Sequence, residues 1–320
     1  MIFRFAKICL LAVLPAVGGT QQPAGGDSVP PIPRPAYTPG NGPVVAIDEA
    51  HKNTHSYNNQ QGMVRLLQRD GYRVRPFAQA ISEASLEGVD VLVIADPGGW
   101  EGDASLGDAE VHALVTWVRQ GGSLLLIIDH MPFPLHGASL TAALGITSWH
   151  NGFAMVETTD SLPAGRIIFQ RPDQPREAGD DVVRIGPPGT PGFATYRGVD
   201  AVLRPHPISN GRAPDENVRA VMTFVGSAFQ PPDGAQALLV LPKRSASLMP
   251  DSITADVRRG NPPRTPVGSW LQGAVVPLGK GRVALFGEVG LFSGQWPVHP
   301  AASENYKLIL NVMHWLTHAL

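Results

Sequence analysis

The chain has 320 residues, 43% hydrophobic and 16% charged, enough to bury a sizeable core as one large domain or two small ones. A formal charge of -2 and a pI near 6.5 leave no basic footprint for nucleic acid and no polybasic membrane patch. The one cysteine, Cys9, excludes an intrachain disulfide and any cysteine-rich zinc site.

The first residues read as a targeting segment. Met1 to Lys7 is a basic start, Ile8 to Pro15 is an apolar stretch too short to span a bilayer, and Ala16-Val17-Gly18 offers small residues for cleavage. Residues 1–18 are therefore expected to be a signal peptide, with the mature protein periplasmic or secreted and without a transmembrane helix. Cys9 lies inside that segment, so the mature chain would carry no thiol. Residues 19–42, rich in Gly, Pro and Gln, read as a flexible lead-in, and 43–320 as a single α/β domain.

Pro43 to Ile47 is a short β-branched run with the pattern of a buried strand. Asn59 to Asp70 has helical spacing and stops at Gly71, and Tyr72 to Phe77 is a strand whose Pro76 places it at or near an edge. Asp90 to Asp96 is a second buried strand. A helix follows over about Leu106–Gln120, with Asp108 and Glu110 in its first turn and Gly121-Gly122 at its end. Ser123 to Ile128 is the most apolar strand, and Gly137 to Leu144 is a short helix. Residues of about 150–217 are broken by Pro187-Pro188, Pro191-Gly192 and Pro205-His206-Pro207, and read as an irregular insertion that folds over the sheet with a few short strands. Strands then recur, ending in a hairpin through Gly279-Lys280-Gly281, and a final helix is expected with Ser303 as its cap. Strands alternating with helices imply right-handed crossovers and a mainly parallel sheet.

Four of these strands run into acids: Asp48-Glu49, Asp96, Asp129-His130 and Gly287-Glu288. In an open parallel sheet, strand ends share one edge, and ligands bind outside it. The candidate catalytic group is His51, His55, Asp129 and His130, with Asp48, Asn53, Glu288 and Gln295 as binding residues. Each has a bland alternative: the imidazoles of His51 and His55 could simply brace their loop, and His130 could stack on Phe133. If residues 51–55 open a helix, His51 and His55 share a face one turn apart, and with Asp129 could hold a divalent metal such as zinc. His206 and His299, each beside proline, could cover the site. Ser227 lacks a Gly-x-Ser-x-Gly elbow, and no glycine-rich phosphate loop occurs.

The segments Val-Val-Ala-Ile-Asp-Glu-Ala-His-Lys-Asn (44–53), Asp-Gly-Tyr-Arg-Val (70–74), Asp-Val-Leu-Val-Ile-Ala (90–95), Gly-Gly-Ser-Leu-Leu-Leu-Ile-Ile-Asp-His (121–130) and Gly-Lys-Gly-Arg-Val (279–283) leading to Gly287-Glu288 resemble exported bacterial proteins of unknown function. Those proteins belong to the class I glutamine amidotransferase-like superfamily. The resemblance spans about residues 43–150 and 270–320. It implies a flavodoxin-like α/β three-layer sandwich but not glutamine hydrolysis, because members that hydrolyse glutamine use a cysteine nucleophile and this chain places Asp129-His130 at the corresponding turn. The resulting expectation is an exported hydrolase-like enzyme acting on a small polar or carbohydrate-type substrate. The alternatives are a non-catalytic domain that binds a glycan or small ligand, or an envelope scaffold.

Overall fold

The computed structural model describes residues 29–102, 105–158, 163–176, 179–185, 193–251, 261–294 and 300–320. The expected signal peptide, residues 19–28 of the lead-in, Gln295 and His299 lie outside the described residues.

Along the first half of the chain run β1 (Val44–Asp48), α1 (Gln61–Arg69), β2 (Arg73–Phe77), β3 (Val91–Ala95), α2 (Asp108–Gln120), β4 (Ser123–Ile127), α3 (Phe133–His136) and α4 (Ala138–Ala143). There follow β5 (Ser148–Val156), β6 (Arg166–Gln170), β7 (Val182–Ile185), β8 (Phe193–Tyr196), β9 (Val202–Leu203) and α5 (Pro207–Asn210). The rest comprises β10 (Ala220–Thr223), β11 (Gly226–Gln230), β12 (Gln236–Val240), β13 (Ser245–Leu248), β14 (Arg264–Pro266), β15 (Leu271–Leu278), β16 (Gly281–Phe286) and α6 (Asn305–Leu316).

One sheet runs β2-β1-β3-β4-β16-β15-β12-β9-β6-β8-β7. Its first five strands are parallel, and β15 then joins β16 as an antiparallel hairpin. β1, β3 and β4 are buried at every position, which is why they read as unbroken apolar runs. Alternate side chains feed two cores. Val45, Ile47, Val93 and Leu125 pack with Met63 and Leu67 of α1 and Leu308 and Val312 of α6. Ala46, Leu92, Ile94 and Leu126 pack with Val111, Leu114 and Val118 of α2 and Leu140 of α4. Helices on both faces of the sheet make the three-layer, flavodoxin-like sandwich that the sequence implies. A substitution such as Leu125→Ala would open a cavity between layers at about 2–5 kcal/mol.

Two details depart from the sequence reading. The insertion does not fold over the sheet: β9 pairs with β12, and β6, β8 and β7 continue the sheet sideways. An unpaired edge on β12 would leave backbone donors and acceptors open, and the insertion satisfies them. Nor does Ser303 cap α6. The cap position is Glu304, whose carboxylate turns back to the Arg219 guanidinium at 2.6 Å and to the Arg219 backbone N–H at 2.7 Å.

Candidate functional site

The strand order sets β1, β3, β4 and β16 side by side, so the acids that end them meet at the carboxyl edge. Asp96 is the hub. It takes a left-handed backbone conformation (φ 56°), which costs a non-glycine residue on the order of 1 kcal/mol. Both its carboxylate oxygens are used: Oδ1 accepts the Asp129 backbone N–H at 2.7 Å, and Oδ2 faces His55 Nδ1 at 2.7 Å. Asp96 thereby orients His55 and fixes the turn that carries Asp129. His55 Nε2 has no hydrogen-bond partner among the described residues, and the side chain is 30% exposed.

Asp129 Oδ1 accepts the His130 N–H at 2.6 Å, and Oδ2 accepts Val289 N–H at 3.2 Å. Next to Val289, Glu288 receives the Gly290 and Leu291 N–H groups at 2.6 and 2.8 Å. Both acids are buried. Burial pushes the Asp129 carboxyl up to about 6, with the Asp96 charge adding to it and the His130 imidazole opposing. Burial and then the Asp129 charge hold Glu288 well above the usual range. Two neighbouring buried acids that cannot both ionise cheaply hold a proton more tightly than free carboxyls do. Burial works against a charge on His55, but Asp96 and, more weakly, Asp129 outweigh it and raise its pKa.

Ser227 braces this edge from behind: its hydroxyl donates to Ile128 O at 2.7 Å and accepts from Trp149 Nε1 at 2.7 Å. Gly226 lets β11 pass the turn, because a Cβ there would lie 2.1 Å from Gly287 O. His130 does not stack on Phe133. It stacks on Phe153 of β5, ring centroids 4.1 Å apart, while Phe133 stands 6.3 Å away and carries Trp100 on its other side at 4.9 Å. This aromatic row ends in an indole that is 51% exposed.

His51 belongs to a different cluster. Its Nδ1 meets Asp48 Oδ2 at 2.8 Å and its Nε2 meets Glu110 Oε1 at 3.0 Å. Burial opposes charge there too, but the two carboxylates outweigh it and raise the pKa. Asn53 donates to Asp48 O at 2.8 Å and holds the same turn. His206 is remote from both groups, accepting Ile208 N–H as the cap of α5.

The structure thus links His55 and Asp129 through Asp96, with His130 and Glu288 beside Asp129, while His51 and Asn53 bond to Asp48 at the end of the neighbouring strand. The trio His51, His55 and Asp129 is not assembled as a ligand set, because carboxylates occupy both ring nitrogens of His51. Among the described residues no group of three or more His, Cys, Asp or Glu is placed to hold a metal ion. Asp96 is not among the site residues expected from the sequence, although its acid is visible there at a strand end; Pro97-Gly98-Gly99 behind it is the available signal. Glu110, on a helix face, gives none.

No protein-family model matches the chain, and no curated protein matches it. Solved structures do. The mmIFT52 N-terminal domain is 16% identical over 86% of this chain and 97% of its own, with a TM-score of 0.55. A ThuA-like protein from Bacteroides uniformis is 10% identical over 91% and 95%, with a TM-score of 0.44. A GMP synthase subunit from Thermoplasma acidophilum is 8% identical over 87% and 95%, with a TM-score of 0.37. At such identities the first likeness shows a shared fold and nothing of activity. No helix among the described residues is long and apolar enough to cross a membrane.

Proposed function

We propose that this chain is an exported hydrolase-like enzyme, on a class I glutamine amidotransferase-like scaffold, acting on a small polar or carbohydrate-type substrate. One observation carries the reading: His55, held by Asp96 through Nδ1, keeps Nε2 free beside an acid pair of raised pKa. In this scheme His55 takes a proton from water, Asp96 stabilises the imidazolium, and Asp129 with Glu288 supplies a proton to the departing oxygen. The row from His130 to Trp100 gives the substrate an apolar ledge.

The test is a panel of p-nitrophenyl glycosides and esters run with the wild type, His55→Gln and Asp96→Asn. A loss of about 10²–10⁴-fold in kcat on any substrate turned over by the wild type supports the assignment. Unchanged turnover in His55→Gln ends it.

One observation favours a second reading, a non-catalytic glycan or small-ligand domain: all four oxygens of Asp129 and Glu288 already accept backbone N–H groups. A glycan array would then register binding that survives His55→Gln, with no turnover on the panel.

A further inference from the structure

Ser227 lacks the elbow of a nucleophile, and its surroundings give it a different part. It is fully buried on β11, where the ladder with β5 breaks register, pairing Gly226 with Ala154 and Ala228 with His150. Register breaks of this kind re-aim residues beside a site. Here Ser227 N–H donates to Gly287 O at 2.6 Å, and its hydroxyl donates to Ile128 O at 2.7 Å. These carbonyls belong to the residues immediately before Glu288 and Asp129. One serine therefore ties both acid-bearing turns, which leave β16 and β4, with its backbone and its side chain.

The three segments meet closely. A Cβ on Gly287 would lie 2.6 Å from Ser227 O, and one on Gly226 would lie 2.1 Å from Gly287 O, so only glycine lets them pass. The hydroxyl also accepts Trp149 Nε1–H at 2.7 Å, which leaves its own proton directed at Ile128 O. Trp149 is in turn stacked on Phe229 of β11, with ring centroids 4.4 Å apart. The direct link between the two turns, Val289 N–H to Asp129 Oδ2, is longer at 3.2 Å.

Repulsion between two buried carboxylates favours any movement that separates their turns or lets water between them. With both carbonyls held by one serine, that movement is resisted, and the pair relieves the repulsion by keeping a proton. Without the hydroxyl, Ile128 O and the Trp149 indole lose this partner, a loss that shifting toward water repairs.

We propose that Ser227 is the positioning residue of the Asp129 and Glu288 pair, setting the spacing of the two carboxyl groups without touching substrate. This role rests on the acid pair of the proposed function, but its test needs no turnover.

Carboxyl ¹³C spectra of the full chain, recorded against pH, read the titration of Asp129 and Glu288. In Ser227→Ala the upper apparent pKa of the pair should fall by about one pH unit, a roughly tenfold weaker hold on the shared proton. Indole ¹⁵N spectra of the wild type give a second readout. The Trp149 resonance, identified by its loss in Trp149→Phe, should move with the same apparent values as the acids, because the indole and Ile128 O share one hydroxyl. A serine that only filled space would move neither. A folded Ser227→Ala whose acids titrate as in the wild type overturns the proposal. So does a Trp149 resonance that stays still while the acids titrate, and this result is decisive even where the variant does not fold. In both cases the raised acid pair, and the proposed function that uses it, would stand. Wild-type acids that titrate like free carboxyls would overturn both.

Discussion

His51 and His55 stand four residues apart on one loop, and each points Nδ1 at a buried carboxylate at the end of a parallel strand. They differ at the other nitrogen. His51 Nε2 meets a second carboxylate, Glu110, which also accepts the Ile81 and Gly107 N–H groups. Two flanking carboxylates favour the imidazolium, so His51 acts as a brace joining β1, α2 and the chain before β3. His55 spends one nitrogen on orientation and leaves the other without a partner among the described residues. The same residue type on the same loop becomes a brace or a candidate base according to what α2 supplies opposite it.

The largest effect should come from the free nitrogen. His55→Gln is expected to lower kcat by about 10²–10⁴-fold while moving the melting temperature only a few degrees, because the side chain is part-exposed. His51→Ala should do the reverse. It leaves the buried Asp48 carboxylate and part-buried Glu110 without their common partner, which costs about 2–4 kcal/mol in urea unfolding. The fraction that remains folded should turn over substrate at the wild-type rate. A His51 variant that stays stable but inactive would dissolve the distinction between the two histidines.

The pH dependence of stability sharpens the same contrast. Asp129 has a native pKa of about 6 against 3.8 for the free side chain, and Glu288 is also raised well above its own reference. Between those values the native state holds protons that the unfolded chain has released, so stability falls as pH rises. His51 and His55, both raised, act with the same sign: their contribution is complete below about 6.5 and is lost as pH climbs through their native values. Glu110 is lowered by its backbone donors and His51 despite burial, and opposes them only on the acid side, where its contribution disappears as it protonates. The sum is a decline on the order of 1–3 kcal/mol from about pH 5 to pH 8. Urea titrations across that range should show it, and Glu288→Gln should flatten its upper part. A flat or rising curve for the wild type would mean that the acid pair does not hold its protons.

Much of this edge was legible in the sequence, because a fully buried parallel strand must be apolar throughout and must change character abruptly where it leaves the sheet. Asp48, Asp96, Asp129 and Glu288 mark those changes, and the strand order then places them together. The partition among them was not legible. Whether His51 or His55 keeps a free nitrogen depends on Glu110, which lies 59 residues away on a helix that declares only its apolar stripe. The insertion was opaque for a related reason: its strands are short, interrupted by proline, and defined by the edge of β12 that they complete. His130 found Phe153 instead of the nearer Phe133 because β5, the first strand after α4, returns across the turn.

The smallest effect concerns the rim. Trp100 follows Pro97-Gly98-Gly99, where Gly98 N–H donates to His51 O at 2.9 Å and His136 Nδ1 reaches Gly99 O at 2.9 Å. The loop is pinned on both sides, so the exposed indole is held in place over Phe133. The brace and the chemistry meet here, since it is the backbone of His51 that anchors the ledge beside the His55 edge. Trp100→Ala should raise KM by about five- to tenfold for a ring-shaped substrate, the value of one aromatic contact, and leave kcat near the wild type. Trp100→Phe should recover most of that loss, because the ring face and not the indole N–H makes the contact. A fall in kcat at constant KM would place Trp100 in the transition state and extend the chemical region outward to the rim.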